Sequence, residues 1–248
     1  MVFDSAADAY DLGRPSYPSA LYDTVESLCG PLAGKRVMDG GAGTGIVSRE
    51  LANRGAVVVA LDPGPGMLRR ATARTPELRA VVGDAAAVPM RSGCVDLVTF
   101  GQSWHWVDQL RGTEEAARVL TKGGWWAAWW NQPWGDADVW FDEYYSLLEA
   151  TCAGLSRDQR NVAWCAAAVA RSELFQERTQ STFEWERRVT IEQWLVDLSS
   201  HSYVLALSST SRSGLLTRVE SILRDAFAGG IMAVPYRTFL WMASRTTT

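Results

Sequence analysis

The chain has 248 residues, 47% apolar and 21% charged, and its 24 basic and 28 acidic residues leave a net charge of −4. This composition excludes a disordered or fibrous chain, and the length is ample for a full core. A mildly acidic balance also excludes general nucleic-acid binding through a basic surface. The longest apolar runs, Ala56–Leu61 and Trp125–Trp130, fall far short of the ~20 residues that span a bilayer. The opening MVFDSAADAY has neither a basic start nor a long apolar segment, so the expectation is a cytoplasmic protein without membrane contact. Cys29, Cys94, Cys152 and Cys165 form no CxxC pair and there are two histidines, which argues against a metal site and for reduced thiols. Twelve tryptophans are the unusual count.

Pro18 opens a helical run to Cys29, with Leu21, Val25 and Leu28 on one face. Arg36–Asp39 then reads as a short buried strand and Ile46–Asn53 as a helix. Ala56–Leu61 is a second strand, Met67–Arg74 a helix and Leu78–Val82 a third strand. Val95–Phe100, the helix Thr113–Leu120 and the strand Trp125–Trp130 complete the alternation. Strands alternating with helices of this length predict an α/β fold of right-handed βαβ units, its parallel sheet covered on both faces. Beyond Asn131 the alternation stops. Residues 135–175 read as helical, Thr182–Val189 as a partly exposed strand, and Thr190–Leu207 as helical, with Thr190 as cap and Glu192 and Gln193 in the first turn. SSTSRSG over 208–214 reads as a polar break, Leu215–Phe227 as a helix stopped by Gly229 and Gly230, and Tyr236–Ala243 as the last strand.

The sharpest signal is Val37-Met38-Asp39-Gly40-Gly41-Ala42-Gly43-Thr44-Gly45, a strand running into a glycine-dense turn before a helix. Glycines permit positive φ and close approach of a ligand to backbone, and a nucleotide-like ligand belongs at the carboxyl ends of such strands. The dinucleotide pattern G-x-G-x-x-G fails, because its third glycine position is Ile46; a nicotinamide oxidoreductase is disfavoured. Asp39 just before the glycines would repel a pyrophosphate and suits a ligand with an ammonium group. Asp62 closes the second strand, where a carboxylate accepts from a ribose diol. Asp84 closes the third, where it can accept from an adenine amino group.

These residues resemble the class I S-adenosylmethionine-dependent methyltransferases of small-molecule type, a group that includes ubiquinone/menaquinone-biosynthesis-like and trans-aconitate-methyltransferase-like enzymes. The resemblance rests on Tyr10–Pro18, the loop Asp39–Gly45, Asp62-Pro63 with Met67, and Gly83-Asp84-Ala85. It continues through Asp96–Val98 into Gln102-Ser103-Trp104-His105-Trp106, and ends with Pro235–Thr238. It implies S-adenosylmethionine as cofactor and S-adenosylhomocysteine as product. Asp39, Gly41, Ala42 and Gly43 would surround the methionine part, Asp62 the ribose, and Pro63 and Met67 the adenine face. Gly83, Asp84 and Ala85 would lie at the adenine edge, Gln102 and Ser103 near the sulfonium, and Tyr10 and Arg14 would close over the cofactor. Gly40 departs from the pattern, which usually has a bulkier apolar residue there. The fold implied is a single Rossmann-like domain over residues 1–248. Its seven-stranded, mostly parallel sheet has helices on both faces and an antiparallel last strand. Residues 1–131 form the cofactor half, 132–180 and 190–230 a helical lid inserted in the C-terminal half, and 181–189 and 235–244 the final strands.

Methyl transfer from a sulfonium asks the protein for positioning and a dry site. Aromatic faces suit a methylsulfonium, so Trp104, Trp106, Tyr17, Asn131 and His201 are the expected substrate contacts. An alcohol, phenol or carbon acid needs a base. An imidazole titrates near ~6.5, and His105 is the candidate. The expected substrate is a small aromatic or planar metabolite of specialised metabolism, methylated on O, N or C by a monomer or homodimer. The alternative is a noncatalytic protein that keeps the fold and binds the cofactor or a partner.

Overall fold

The computed structural model describes residues 14–134, 138–156 and 162–247, with Ala163 and Trp164 described by their backbone only. Tyr10, expected at the cofactor, lies outside these residues. The first half runs α1 (Ser19–Cys29), β1 (Arg36–Gly40), α2 (Ile46–Asn53), β2 (Val57–Asp62), α3 (Pro65–Arg74), β3 (Arg79–Val82) and β4 (Val95–Gly101). A single 3-10 turn (Trp104–Trp106), α4 (Gln109–Val119) and β5 (Leu120–Pro133) follow. The second half has α5 (Val139–Thr151), a 3-10 turn (Ala163–Ala166), α6 (Ala167–Arg171) and β6 (Phe175–Thr190). It continues through α7 (Ile191–Ser199), α8 (Ser202–Leu205) and α9 (Ser209–Ala226) to β7 (Ile231–Arg245).

The seven strands order β3-β2-β1-β4-β5-β7-β6, and β3 through β5 pair in parallel. β1 lies between β2 and β4, with Asp39 in register with Ala60 on one side and Thr99 on the other. The chain reverses its direction of winding there, and ligands of open α/β sheets bind outside the carboxyl ends at that point. Strand alternation sends successive side chains to opposite faces. Met38, Val98, Phe100 and Trp126 enter one buried cluster with Trp104 and Trp241. Val37, Leu97, Ala127 and Trp129 enter the other, with Leu21 and Leu51 of the covering helices.

The described residues fall into two compact units, one drawn from 16–131, 162–183 and 238–248 and the other from 1–15, 132–161 and 184–237. The second has its own core, where Trp140, Tyr144 and Leu148 of α5 meet Trp194 and Leu198 of α7 and Leu215, Val219 and Leu223 of α9. Residues 162 to 180, expected in the helical cover, group with the sheet instead.

Three local expectations are corrected. The strand read over Thr182–Val189 starts earlier, at Phe175, and the helical stretch read before it ends at Arg171. The first half of the strand is almost wholly exposed at the sheet edge, so burial left no apolar alternation to read. The polar break at 208–214 is the N-terminus of α9, where the Ser208 hydroxyl accepts the Ser211 N–H at 3.2 Å. Serine-rich starts read as breaks because the residues that cap helices also make turns. The run Thr190–Leu207 is two helices. Its start is a reciprocal cap: the Thr190 hydroxyl accepts from the Gln193 N–H and the Gln193 side chain from the Thr190 N–H. Among the described residues no helix is long and apolar enough to cross a membrane.

Candidate active site

The glycine loop leaves β1 and enters α2 with Gly41, Gly43 and Gly45 all at positive φ. At Gly41 a Cβ would stand 2.4 Å from Cβ of Ser103, so both sterics and φ require glycine there. Gly40 is explained by its neighbour. A Cβ on it would meet Cε1 of Phe100 at 2.4 Å, so the Phe100 ring leaves no room for a side chain there.

Asp39 lies beneath this loop, 1% exposed. Its Oδ2 accepts from the Ser48 hydroxyl at 2.6 Å and its Oδ1 from the Thr99 hydroxyl at 2.9 Å. Burial pushes its carboxyl up to about 6, against the opposing pull of those two bonds, and the nearby Asp62 charge adds to the rise. The Asp62 carboxylate fastens the loop: Oδ2 accepts the Gly43 N–H at 2.8 Å and Oδ1 the Gly64 N–H at 2.7 Å. The Gly83 N–H in turn donates to the Asp62 carbonyl at 3.1 Å, which draws the end of β3 to the end of β2. Met67 and Ala85 are buried, Pro63 is exposed, and exposed Asp84 accepts the Ala86 N–H at 2.8 Å in a tight turn. Ala42 donates its N–H to the Leu61 carbonyl. The first unit thus gathers Asp39, Gly41, Ala42, Gly43, Asp62 and Gly83 at adjoining strand ends.

Beyond β4, Gln102 holds φ +57, and the Ser103 hydroxyl donates to the Gly40 carbonyl at 2.6 Å. His105 is half-buried. Its ring lies edge-on to Trp130 at 4.5 Å and tilted on Trp106 at 4.6 Å, and Trp106 is 63% exposed. Tyr17 packs edge-on against Trp129 at 5.9 Å. Two substrate assignments are corrected. Trp104 is 1% exposed and packs on Phe100 and Trp126, because the 3-10 turn swings it back onto the sheet; it belongs to the core. Asn131 is a strut: Nδ2 donates to the Ser16 carbonyl at 3.1 Å, and Oδ1 accepts from the Thr238 hydroxyl at 2.6 Å.

Arg14 and His201 belong to the other unit, and the structure brings both to Asp197, each 3.5 Å from its Oδ1. Arg187 donates to Asp197 Oδ2 at 2.7 Å and to the Tyr236 hydroxyl at 3.0 Å. Burial alone would raise the Asp197 carboxyl, but His201, Arg14 and Arg187 hold it at about 2. Burial, then the Arg14 charge, lowers His201. Sequence reasoning missed Ser48, Thr99, Thr238, Arg187 and Asp197. The available signal was polar side chains at positions whose apolar period predicts burial, which need partners there.

A family model described as a methyltransferase domain matches residues 38–128. An uncharacterized methyltransferase of Mycobacterium bovis is 36% identical over 241 residues, covering 95% of this chain and 92% of that one. A demethylmenaquinone methyltransferase of Beutenbergia cavernae is 35% identical over 129 residues, covering 50% of this chain and 53% of that one. The structure of a protein from Anaeromyxobacter dehalogenans assigned as a type II methyltransferase superposes with a TM-score of 0.70 at 25% identity, covering 94% of this chain and 98% of that one. These likenesses show that the chain belongs to the class I S-adenosylmethionine-dependent methyltransferases, with S-adenosylmethionine as cofactor and S-adenosylhomocysteine as product.

Proposed function

We propose that this methyltransferase acts on a small planar or aromatic metabolite, on O, N or C, and that the first unit supplies the cofactor contacts. The residues present fit the cofactor. The loop turns at positive φ where a side chain would block approach to backbone. Beneath it lies a buried carboxylate suited to an ammonium. When bound, the cofactor supplies a methyl group on a good leaving group. Asp39, Gly41, Ala42 and Gly43 orient its methionine part, Asp62 its ribose, and Met67, Asp84 and Ala85 its adenine.

The observation that carries the planar acceptor is the aromatic wall after β4, where His105 is held between Trp106 and Trp130 with Trp106 open to solvent. Flat rings pack on such a wall with little ordering cost. The similarity to demethylmenaquinone methyltransferases over half of the chain supports the same reading. His105, half-buried on this wall, is the candidate to take a proton from a hydroxyl acceptor. The test is mass spectrometry for a ~14-dalton gain across phenols, indoles, amines and carboxylic acids, with labelled cofactor as tracer. Gain on flat aromatics is expected, together with a His105→Ala variant at least ~100-fold slower on phenols than wild type. Gain confined to non-planar acids or amines overturns the acceptor, and unchanged turnover in His105→Ala overturns the base.

A further inference from the structure

Within the first unit, α6 and the 3-10 turn before it are built largely of alanine. Ala166, Ala167 and Ala170 line a cavity of about 300 Å³ together with Trp126, Trp241 and Met242. An apolar cavity of ~150 Å³ holds benzene, so this one has room for about two fused rings. It lies apart from the glycine loop. Thr238 of β7 bonds to Asn131 at the carboxyl end of β5, whereas Met242 is four residues further along β7, about 13 Å away at the strand rise. Trp126, likewise, precedes Asn131 by five residues on β5. The cavity therefore sits toward the opposite end of the strands, and β7 stands three places from β1 in the sheet.

The rim of the cavity comes from β6. Glu177 has φ +48 there, which interrupts the alternation of the strand, and the three successive residues Arg178, Thr179 and Gln180 all line the cavity. The Glu177 carboxylate is engaged elsewhere, accepting from the Ser244 hydroxyl at 2.9 Å. Arg178 is exposed but held. Its Nη2 donates to the Ser172 and Phe175 carbonyls, each at 2.7 Å. Both bonds leave from one nitrogen, and among the described residues Nε and Nη1 donate to nothing and no carboxylate pairs with the guanidinium. A cation fixed in this way meets an anion with little further ordering cost.

We propose that this cavity is a second ligand site, which takes a monocarboxylate with a compact apolar body. The body packs against Trp126, Trp241 and the alanines of α6, and the carboxylate bonds to Arg178. Thr179 and Gln180 add neutral donors, so the rim offers a single positive charge. That charge matches a monoanion and leaves a dianion half compensated. The alanines set the size of the ligand, because any larger side chain on α6 would occupy its place.

Calorimetric titration with 2-naphthoate and, separately, with its uncharged counterpart 2-naphthalenemethanol tests the site without cofactor or methyl transfer. Wild type should bind the carboxylate about tenfold more tightly than the alcohol. Arg178→Gln should weaken naphthoate by about tenfold and leave the alcohol within about twofold, so that the preference disappears. A change confined to the fold of the Ser172–Phe175 turn would weaken both ligands alike. Ala167→Leu fills the cavity and should weaken both by at least about tenfold; Ala170→Leu, at an exposed position where folding is secure, should act in the same direction. Equal loss of the two ligands in Arg178→Gln, or loss of neither, overturns the role of the guanidinium. Wild type that does not bind naphthoate, or binds it as tightly after both leucine substitutions, overturns the site.

Discussion

Raising the pH from 5 to 7 should tighten S-adenosylmethionine binding by about tenfold through Asp39. The free carboxyl sits at about 6 because burial penalises its charge more than Ser48 and Thr99 recover. The ammonium of the bound methionine part favours the ionised form, so binding expels the proton. The weakening factor, one plus ten to the power of 6 minus pH, is about 11 at pH 5 and about 1.1 at pH 7. The ligand ammonium, near ~7.8, stays charged throughout. Titration calorimetry in buffers of different ionisation enthalpy counts the protons, and about half a proton should leave at pH 6. Asp39→Asn should flatten the profile and bind more weakly than wild type at pH 7. The unliganded protein gives an opposite sign. Its folded-state pKa is raised above an unfolded value near ~3.9, so the native state holds more protons between pH 4 and 6. Stability is full below pH 4 on this account and falls by about 3 kcal/mol as pH rises through 6. A wild-type binding profile as flat as that of Asp39→Asn, with no proton release, would refute the reasoning.

Two further outcomes follow from packing and charge. Gly40→Ala drives a Cβ into Phe100 and should cost about 2 kcal/mol. Phe100→Leu in that background should restore part of it, so a urea double-mutant cycle shows coupling of about 1 kcal/mol, and additive losses count against the fit. Asp197→Ala strands buried Arg187 and should cost about 3–5 kcal/mol at pH 7. Because the Asp197 carboxyl is depressed to about 2, its contribution persists above pH 4 and is lost as pH falls through 2. Denaturation across that range checks both points, and a variant within about 1 kcal/mol of wild type rejects the account.

The parallel half of the fold was legible because its burial is two-sided. Val37, Met38, Leu97 and Val98 alternate between two cores, so their runs are continuous, and glycine or a charge ends each one. Ile46–Asn53 was read to the residue, since the glycine loop marks its start. The second half was not legible in the same way. β6 lies at the sheet edge and presents QERTQS to solvent before any alternation begins. The serines of 208–214 belong equally to a turn and to a capped helix until Leu215, Val219 and Leu223 find a core to enter.

At the site, the loop and its acids were legible as local chemistry, whereas their hydrogen-bond partners come from distant sequence. Thr238 reaches Asn131 across 107 positions and Thr99 reaches Asp39 across 60; no spacing rule connects them. That difference changes what the acids do. Read locally, Asp39 and Asp62 are ligand contacts. In the fold, Asp39 is clamped by two hydroxyls and Asp62 fastens two glycine N–H groups. They shape the loop before they meet any ligand. Substituting either acid therefore alters loop geometry and ligand charge together, and affinity loss alone cannot separate the two. The proton count at Asp39 can, because a displaced loop weakens binding at every pH while a lost charge pair weakens it only above 6.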